Sequence, residues 1–377
     1  MKISGFKSGR YLSQSEYKSF LPVKINREWQ IDQPELQTIL EEAHLRLGEL
    51  NAYSRYVPDV NTFIRMHIIK EATNSSRIEG TQTEIDEVVG FERMITSGKK
   101  EDWREVQNYI EAMNYAITTL QKLPLSNRLL RETHRILMQG VRGQHKMPGD
   151  FRKSQNWIGG ATLKDAVYIP PHRNDIFDLM GDLENFLHNH SIHVPHLIRI
   201  AISHYQFEAI HPFLDGNGRI GRLLITLYLV NYKILEQPLL YLSSFFEKNR
   251  DVYYANLNRV RTHNDLTQWL KFFLIGVSET ALNAVETLKR ISVLNEKLNE
   301  DITILGKRVP LARKLLRYLY KYPKIISNQI ATEFQITKPT ANAIIKEFLK
   351  LKILIEVTGF KRNKIFVFET YLNLFRD

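Results

Sequence analysis

The chain of 377 residues contains no cysteine, so disulfides, thiol nucleophiles and thiolate metal ligands play no part in it. It also lacks any run of about 18 apolar residues, the length that a membrane-spanning helix needs. Its opening residues, MKISGFKSGR, hold no apolar signal core, and no internal repeat or low-complexity tract is visible. These absences exclude a secreted disulfide scaffold, a membrane span and a repeat solenoid, and they make a cytoplasmic location the expectation. What remains is a composition of 43% hydrophobic and 25% charged residues, typical of a soluble globular protein. The length suffices for two or three domains, each with a core.

Negative charge is scarce in one region only. Residues 301–377 hold 15 Lys and Arg against 6 Asp and Glu, a net +9 out of the chain's +11, which leaves +2 for residues 1–300. Within this basic fifth, the pattern predicts a helix over Leu311–Leu319 after Pro310. It then predicts a short helix capped by Ser327 and running to Phe334, a turn at Gln335–Lys338 and a helix from Pro339 to about Leu351. Ile353–Val357 and Ile365–Phe368 alternate like paired strands around the wing TGFKRNK. Helix, helix-turn-helix and hairpin make a winged helix. Lys338, Thr340 and Asn342 would stand at the start of the reading helix, with Lys361, Arg362 and Lys364 on the wing, so DNA is a candidate partner; an interaction module for protein is the other.

The most specific stretch is HPFLDGNGRIGR at residues 211–222. Apolar residues at helical spacing precede it from Leu197 to Ile210 and follow it from Ile220 to Val230, which predicts a loop from Pro212 to Gly218 between two helices. Gly216 and Gly218 permit a tight backbone whose amides converge, and the next helix adds its positive N-terminal end, so the loop is an anion cradle. Arg219 and Arg222 lie three apart and can face the same phosphates. Asp215 offers a hard oxygen of the kind Mg²⁺ shares with substrate phosphates. His211 titrates near neutrality in water and can accept a proton from an attacking hydroxyl. Together they predict nucleotidyl or phosphoryl transfer.

This stretch resembles the Fic signature H-P-F-x-D-G-N-G-R-x-x-R at every specified position. Fic proteins are mostly enzymes that move AMP from ATP onto protein hydroxyls. The resemblance implies that His211 deprotonates a target Ser, Thr or Tyr and that Asp215 holds Mg²⁺. It further implies that Asn217 and the loop amides bind the α- and β-phosphates, and that Arg219 and Arg222 take the outer ones. The intact Gly216-Asn217-Gly218-Arg219 favours AMP transfer over the phosphate transfer of the toxin branch. The stretch FRKSQNWIGG at 151–160, followed by YIPP at 168–171, resembles the Fic flap; Ile158, Gly159 and Gly160 would align the target segment by strand addition. Asn249–Tyr254, read as the start of a helix ending near Trp269, resembles the region that closes over adenine and places Tyr254 against the base. Seven residues on, where many relatives carry Asn, this chain has Arg261, which bears on nucleotide selectivity.

Ser75, Glu79 and Gly80 fit the Fic inhibitory pattern [S/T]-x-x-x-E-[G/N]. Phe63, Met66, Ile69 and Ala72 put the segment on a helix, with Gly80 as its C-terminal cap. The resemblance implies that Glu79 pairs with Arg222, occupies the place of a γ-phosphate and misaligns ATP.

The histidines at 188, 190, 193 and 196 lack a Cys partner and a fixed i,i+4 pair. They predict an exposed loop and no stoichiometric zinc.

The resulting expectation is a mainly α protein in three parts: an N-terminal helical extension (1–115), a Fic-type helical core with a small β-hairpin flap (116–290) and a winged-helix domain (301–377), with a helical connector over 276–300. The expected activity is autoinhibited AMP transfer from ATP, with Mg²⁺, to target hydroxyls and to the chain itself. Transfer of another nucleotide such as UMP, removal of AMP, and a DNA-binding regulator with a nucleotide-sensing core are the alternatives. A homodimer is a further candidate assembly, and no membrane partner is expected.

Overall fold

The computed structural model describes all residues except 58–59, 93–94, 143, 361 and 377, and all side chains except those and 61–62. Lys361 of the wing therefore lies outside the described residues. The chain begins with an antiparallel hairpin, β1 (Gly9–Ser13) and β2 (Lys18–Pro22), rather than with helix alone. Its supports are remote in sequence. Phe20 N–H donates to Ile169 O at 2.9 Å, and Ser8 N–H donates to Asn264 Oδ1 at 2.8 Å across 256 residues, contacts that local periodicity does not register.

Helices make up most of the next 280 or so residues, on the 1.5 Å rise that lets each span the core in a few turns. α1 (Pro34–Tyr56) is succeeded by α2 (Val60–Ile78), the short α3 (Ile85–Val88), α4 (Lys100–Thr119) and α5 (Asn127–Leu137), the last capped by Ser126. After the flap come α6 (Ile176–His188), α7 (His196–Ile210) and α8 (Asn217–Asn231), then α9 (Ser243–Lys248), α10 (Arg250–His263) and the long α11 (Leu266–Asp301). Every residue of α7 from Leu197 to Phe207 is buried, so this helix forms the axis of the core. α8 packs on it, and α11 fastens it through Trp269, whose Nε1–H donates to Ala201 O at 2.9 Å. α1 lies along α11.

These helices correct the expected boundaries. α4 runs through residue 115, and α11 runs through residue 290 as one helix that includes the expected connector. A domain border at either point would cut a continuous hydrogen-bond ladder. The helix after residue 249 ends at His263, and Trp269 belongs to α11. The N-terminal helices and the central ones share a core: Glu71 of α2 accepts hydrogen bonds from Ser243 Oγ of α9 at 2.5 Å and from Tyr109 of α4 at 3.2 Å.

The C-terminal region follows a 3-10 segment, Ile302–Arg308. It contains α12 (Val309–Lys321), β3 (Lys324–Ile326), α13 (Ser327–Phe334), α14 (Lys338–Lys350), β4 (Ile355–Glu356), β5 (Ile365–Val367) and α15 (Glu369–Leu372). β5 lies between β3 and β4, antiparallel to both. Helix, two helices and hairpin appear in the expected order, with β3 as an added strand. Ser327 is the first residue of α13 rather than its cap, because its hydroxyl is spent on Asn342 of α14. Thr337 caps α14.

This region is fastened to α2. Phe63 of α2 meets Tyr320 edge-on at 5.1 Å, and His67 meets Phe375 at 5.2 Å. Asp86 on α3 accepts from Arg376 at 2.7 and 2.8 Å and pairs with Lys324 at 3.1 Å. Among the described residues no helix is long and apolar enough to cross a membrane. Phe63→Ala empties a site only 3% exposed and is expected to cost about 3–5 kcal/mol in urea unfolding. Limited proteolysis within residues 302–308 should quicken in the same variant, and unchanged rates of cleavage would contradict a shared core.

Candidate functional site

The loop between α7 and α8 begins with strain. His211 closes α7 in the left-handed region, φ 50° and ψ 60°, a conformation that costs a non-glycine residue about 1–2 kcal/mol. Its surroundings impose it. Arg152, 2% exposed, donates from Nε to His211 O at 3.0 Å and from its backbone N–H to Pro212 O at 2.8 Å, and Asn156 Nδ2 donates to Phe213 O at 2.9 Å. His134 lies flat on Phe213 at 3.8 Å, accepts Gly149 N–H on Nδ1 at 2.8 Å and therefore donates from Nε2 to Asp215 O at 2.9 Å.

α8 starts at Asn217, one residue before the expected end of the loop. Asn217 Oδ1 accepts from Phe213 N–H and its Nδ2 donates to Phe213 O, both at 2.8 Å, so this side chain closes the loop on itself. Gly216 has φ +74°, and a Cβ there would press on Met138 and His134. Asp215 accepts Gly216 N–H at 2.6 Å and has Lys146 and Arg219 each 3.8 Å away. Arg219 is buried and turned toward α4, 3.3 Å from Glu105.

The opposite wall comes from α2. The helix ends at Ile78, and Gly80 completes the turn at φ +105°, with its N–H donating to Arg77 O. This turn delivers Glu79 to the loop. Arg222 Nη2 donates to Glu79 Oε1 at 2.7 Å and to Ser75 O at 2.8 Å, while its Nε donates to Ser75 Oγ at 2.9 Å. The carboxylate lies directly over Gly218, where any Cβ would overlap Glu79 Oε1. Burial would raise the Glu79 carboxyl, but Arg222 outweighs it and holds the group below the usual carboxylate range. Burial likewise works against the Arg222 charge, and Glu79 reverses the effect so that the guanidinium stays firmly protonated. Burial, helped by Arg152, pushes His211 down to about 4, so its imidazole is neutral at physiological pH.

Residues 37–118 match the Fic/DOC family N-terminal region, and residues 124–229 match the Fic/DOC family. Residues 37–229 thus carry the Fic N-terminal and Fic domains. The chain is 34% identical over 141 residues to the protein adenylyltransferase Fic of Drosophila erecta and 33% identical to that of Drosophila grimshawi. Each alignment covers 37% of this chain and 27% of the relative, so the chain matches about a quarter of the length of these curated relatives. The fold is similar to that of a Fic family protein from Desulfovibrio desulfuricans G20, with a TM-score of 0.59 at 20% identity, covering 91% of this chain and 98% of that one. It is also similar to a Fic domain containing signaling protein from Bacteroides thetaiotaomicron VPI-5482, with a TM-score of 0.54 at 19% identity, covering 67% and 97% of the two chains.

Beside the Fic loop opens a cavity of about 600 Å³. Its walls include His211, Gly218, Arg222 and Glu79 together with Tyr254, Ile158 and Gly159; Asp215 and Arg219 lie outside them. Tyr254 stands one turn into α10, 42% exposed, with Arg250 above its ring at 6.0 Å. The flap is narrower than a full hairpin. Ile158 and Tyr168 exchange backbone hydrogen bonds of 2.8 and 3.0 Å, and the loop between them turns through Gly159 (φ +69°) and Gly160 (φ +75°) and is closed by Asp165, which accepts from Ala161 and Thr162. Arg261 lies over the Tyr168 ring at 4.5 Å and bonds Tyr11 and Asn258.

The histidines between α6 and α7 are not all loose. His188 spends its ring on Leu125 O and Tyr232, and His196 bonds Tyr228 at 2.8 Å, whereas His190 and His193 are exposed. Sequence reasoning missed Arg152, Asn156, His134 and Glu208. The first two stand inside the flap stretch, and only their three-dimensional reach to the loop carbonyls gives them a role.

NMR of the histidine rings should find His211 titrating near pH 4. The Glu79→Gln variant removes a negative charge that supports the imidazolium, so it should lower that midpoint further. A midpoint near 6.5 would contradict the buried environment.

Proposed function

We propose that this chain is an autoinhibited protein adenylyltransferase, moving AMP from ATP to Ser, Thr or Tyr hydroxyls of target proteins and of itself. The observation that carries the reading is the Glu79 carboxylate seated on Gly218 and hydrogen-bonded by Arg222. An anion is already held where the loop amides, the N-terminus of α8 and a buried guanidinium converge, which is the environment a polyphosphate needs.

In the open state the phosphates would take over the Gly216–Gly218 amides and Arg222, with Arg219 adding charge from beside the loop. The nucleoside would extend along the cavity to Tyr254, and the target segment would pair with the flap edge at Ile158, Gly159 and Gly160. Neutral His211 would take the proton of the target hydroxyl as its oxygen attacks the α-phosphorus; the bond to the β-phosphate breaks and pyrophosphate leaves. Asp215 belongs to no group of three or more candidate metal ligands among the described residues, which suits Mg²⁺ if most of its oxygens come from phosphates and water. Bound there, the ion would neutralise charge on the phosphates and the leaving pyrophosphate. Inhibition follows from space: with Glu79 in place the γ-phosphate cannot reach Arg222, and the α-phosphorus is held out of line with the attacking oxygen.

The C-terminal region supports a second, compatible reading as a DNA-binding winged helix. Lys338, Thr340 and Asn342 are exposed at the start of α14, and the net charge of residues 301–377 is +9. Binding through phosphates would weaken steeply with salt.

Incubation with Mg²⁺ and α-labelled ATP or UTP tests the main reading. Glu79→Gly is expected to raise self-labelling from ATP by roughly tenfold or more, since it frees a buried guanidinium for phosphate, and His211→Ala should abolish it. No label from either nucleotide would refute transfer, label from UTP alone would refute AMP as the group moved, and equal labelling with and without Glu79 would refute the inhibitory role.

A further inference from the structure

Glu208 stands three residues before His211 on α7, with its carboxyl in the wall of the cavity. Oε1 is buried and has no hydrogen-bond partner among the described residues. The neighbours able to neutralise it are engaged elsewhere: Arg222 is held by Ser75 and Glu79, and Tyr253 bonds His204 Nε2 at 2.9 Å. Burial pushes the carboxyl up to about 8, with Arg222 opposing and Glu79 adding to the rise, so at neutral pH the group is largely protonated and can both donate and accept.

The space it occupies is built for it. Gly221 fills an unspecified position of the signature and lies within α8 at ordinary helical φ, where glycine is a poorer choice than alanine. A Cβ at Gly221 would overlap Glu208 Oε1. Glycine here supplies room for the carboxyl rather than backbone freedom.

Position then selects the ligand group. Glu208 lines the same cavity as Arg222, which faces phosphate in the reading above, and Tyr254, its aromatic wall, and acts electrostatically on both. A neutral carboxyl that both donates and accepts matches a hydroxyl, and the part of a nucleotide that carries hydroxyls between phosphate and base is the sugar. We propose that Glu208, in the space left by Gly221, hydrogen-bonds a ribose hydroxyl of the nucleotide and makes the site selective for ribonucleotides. The inference rests on the nucleotide reading above and adds a residue and a sugar specificity to it.

The test measures binding rather than turnover, by calorimetry with Mg²⁺, in the Glu79→Gly, His211→Ala protein. ATP, 2′-deoxy-ATP, 3′-deoxy-ATP and ITP are compared. Glu208→Ala and Gly221→Ala are each expected to weaken ATP by about tenfold, roughly one hydrogen bond to a buried polar group. Neither should further weaken the analogue that lacks the contacted hydroxyl. Thermal melting that matches the parent assures that the fold is kept. ATP binding unchanged in Glu208→Ala overturns the proposal alone, as does an equal loss for ATP and both deoxy analogues, or a loss that disappears only with ITP. A parent protein that binds none of the four overturns the nucleotide reading and this proposal with it.

Discussion

The contact on which the site's architecture depends is the ion pair between Glu79 and Arg222. Arg222 is buried to 1% of its side-chain surface, and a guanidinium so placed is tolerated only with acceptors around it. Ser75 supplies two from the same helix that supplies the carboxylate, so α2 arrives as a preformed partner and not as a chance neighbour. Gly218 is the complementary requirement, since the carboxylate and any side chain at that position exclude each other. The guanidinium of the pair is desolvated while 34% of the Glu79 side chain stays exposed, and the pair is replaceable because its acceptor is an anion like any other. A phosphate offers Arg222 the same geometry with more charge.

A second constraint works on the histidine. Its left-handed backbone would relax in a free loop; Arg152 prevents this by holding the carbonyls of His211, Pro212 and Pro171 at once. The same guanidinium lowers the affinity of the imidazole for protons. Position and protonation state thus share a contributor, a buried cation from the flap side of the molecule, with burial of the ring as the larger cause of its low proton affinity.

Much of this was legible in the sequence where function depends on local spacing. The dodecamer located the loop and both flanking helices, and the spacing of Ser75, Glu79 and Gly80 placed the carboxylate at a helix end. Three kinds of feature were not legible. The start of α8 depends on a side-chain closure by Asn217 that no periodicity encodes. The N-terminal hairpin is held by Ile169 and Asn264, far along the chain. The boundaries at 115 and 290 failed because α4 and α11 carry their apolar faces across them, and the core of the protein is common to both sides. Glu208 was invisible for a different reason: an isolated glutamate in an apolar helix has no pattern until Gly221 comes to face it.

α2 joins these levels. Its C-terminal turn carries Ser75 and delivers Glu79, and its N-terminal half carries Phe63 and His67, packed on Tyr320 and Phe375 of the C-terminal region. A helix of 19 residues is about 28 Å long and bends little under the forces between side chains. The ion pair at one end and the aromatic seam at the other are therefore not independent. The position that lets Glu79 reach Arg222 is fixed jointly by the loop it closes and by the basic region that grips the far end of the same helix, with Asp86 on α3 tied to Lys324 and Arg376 as a second hold.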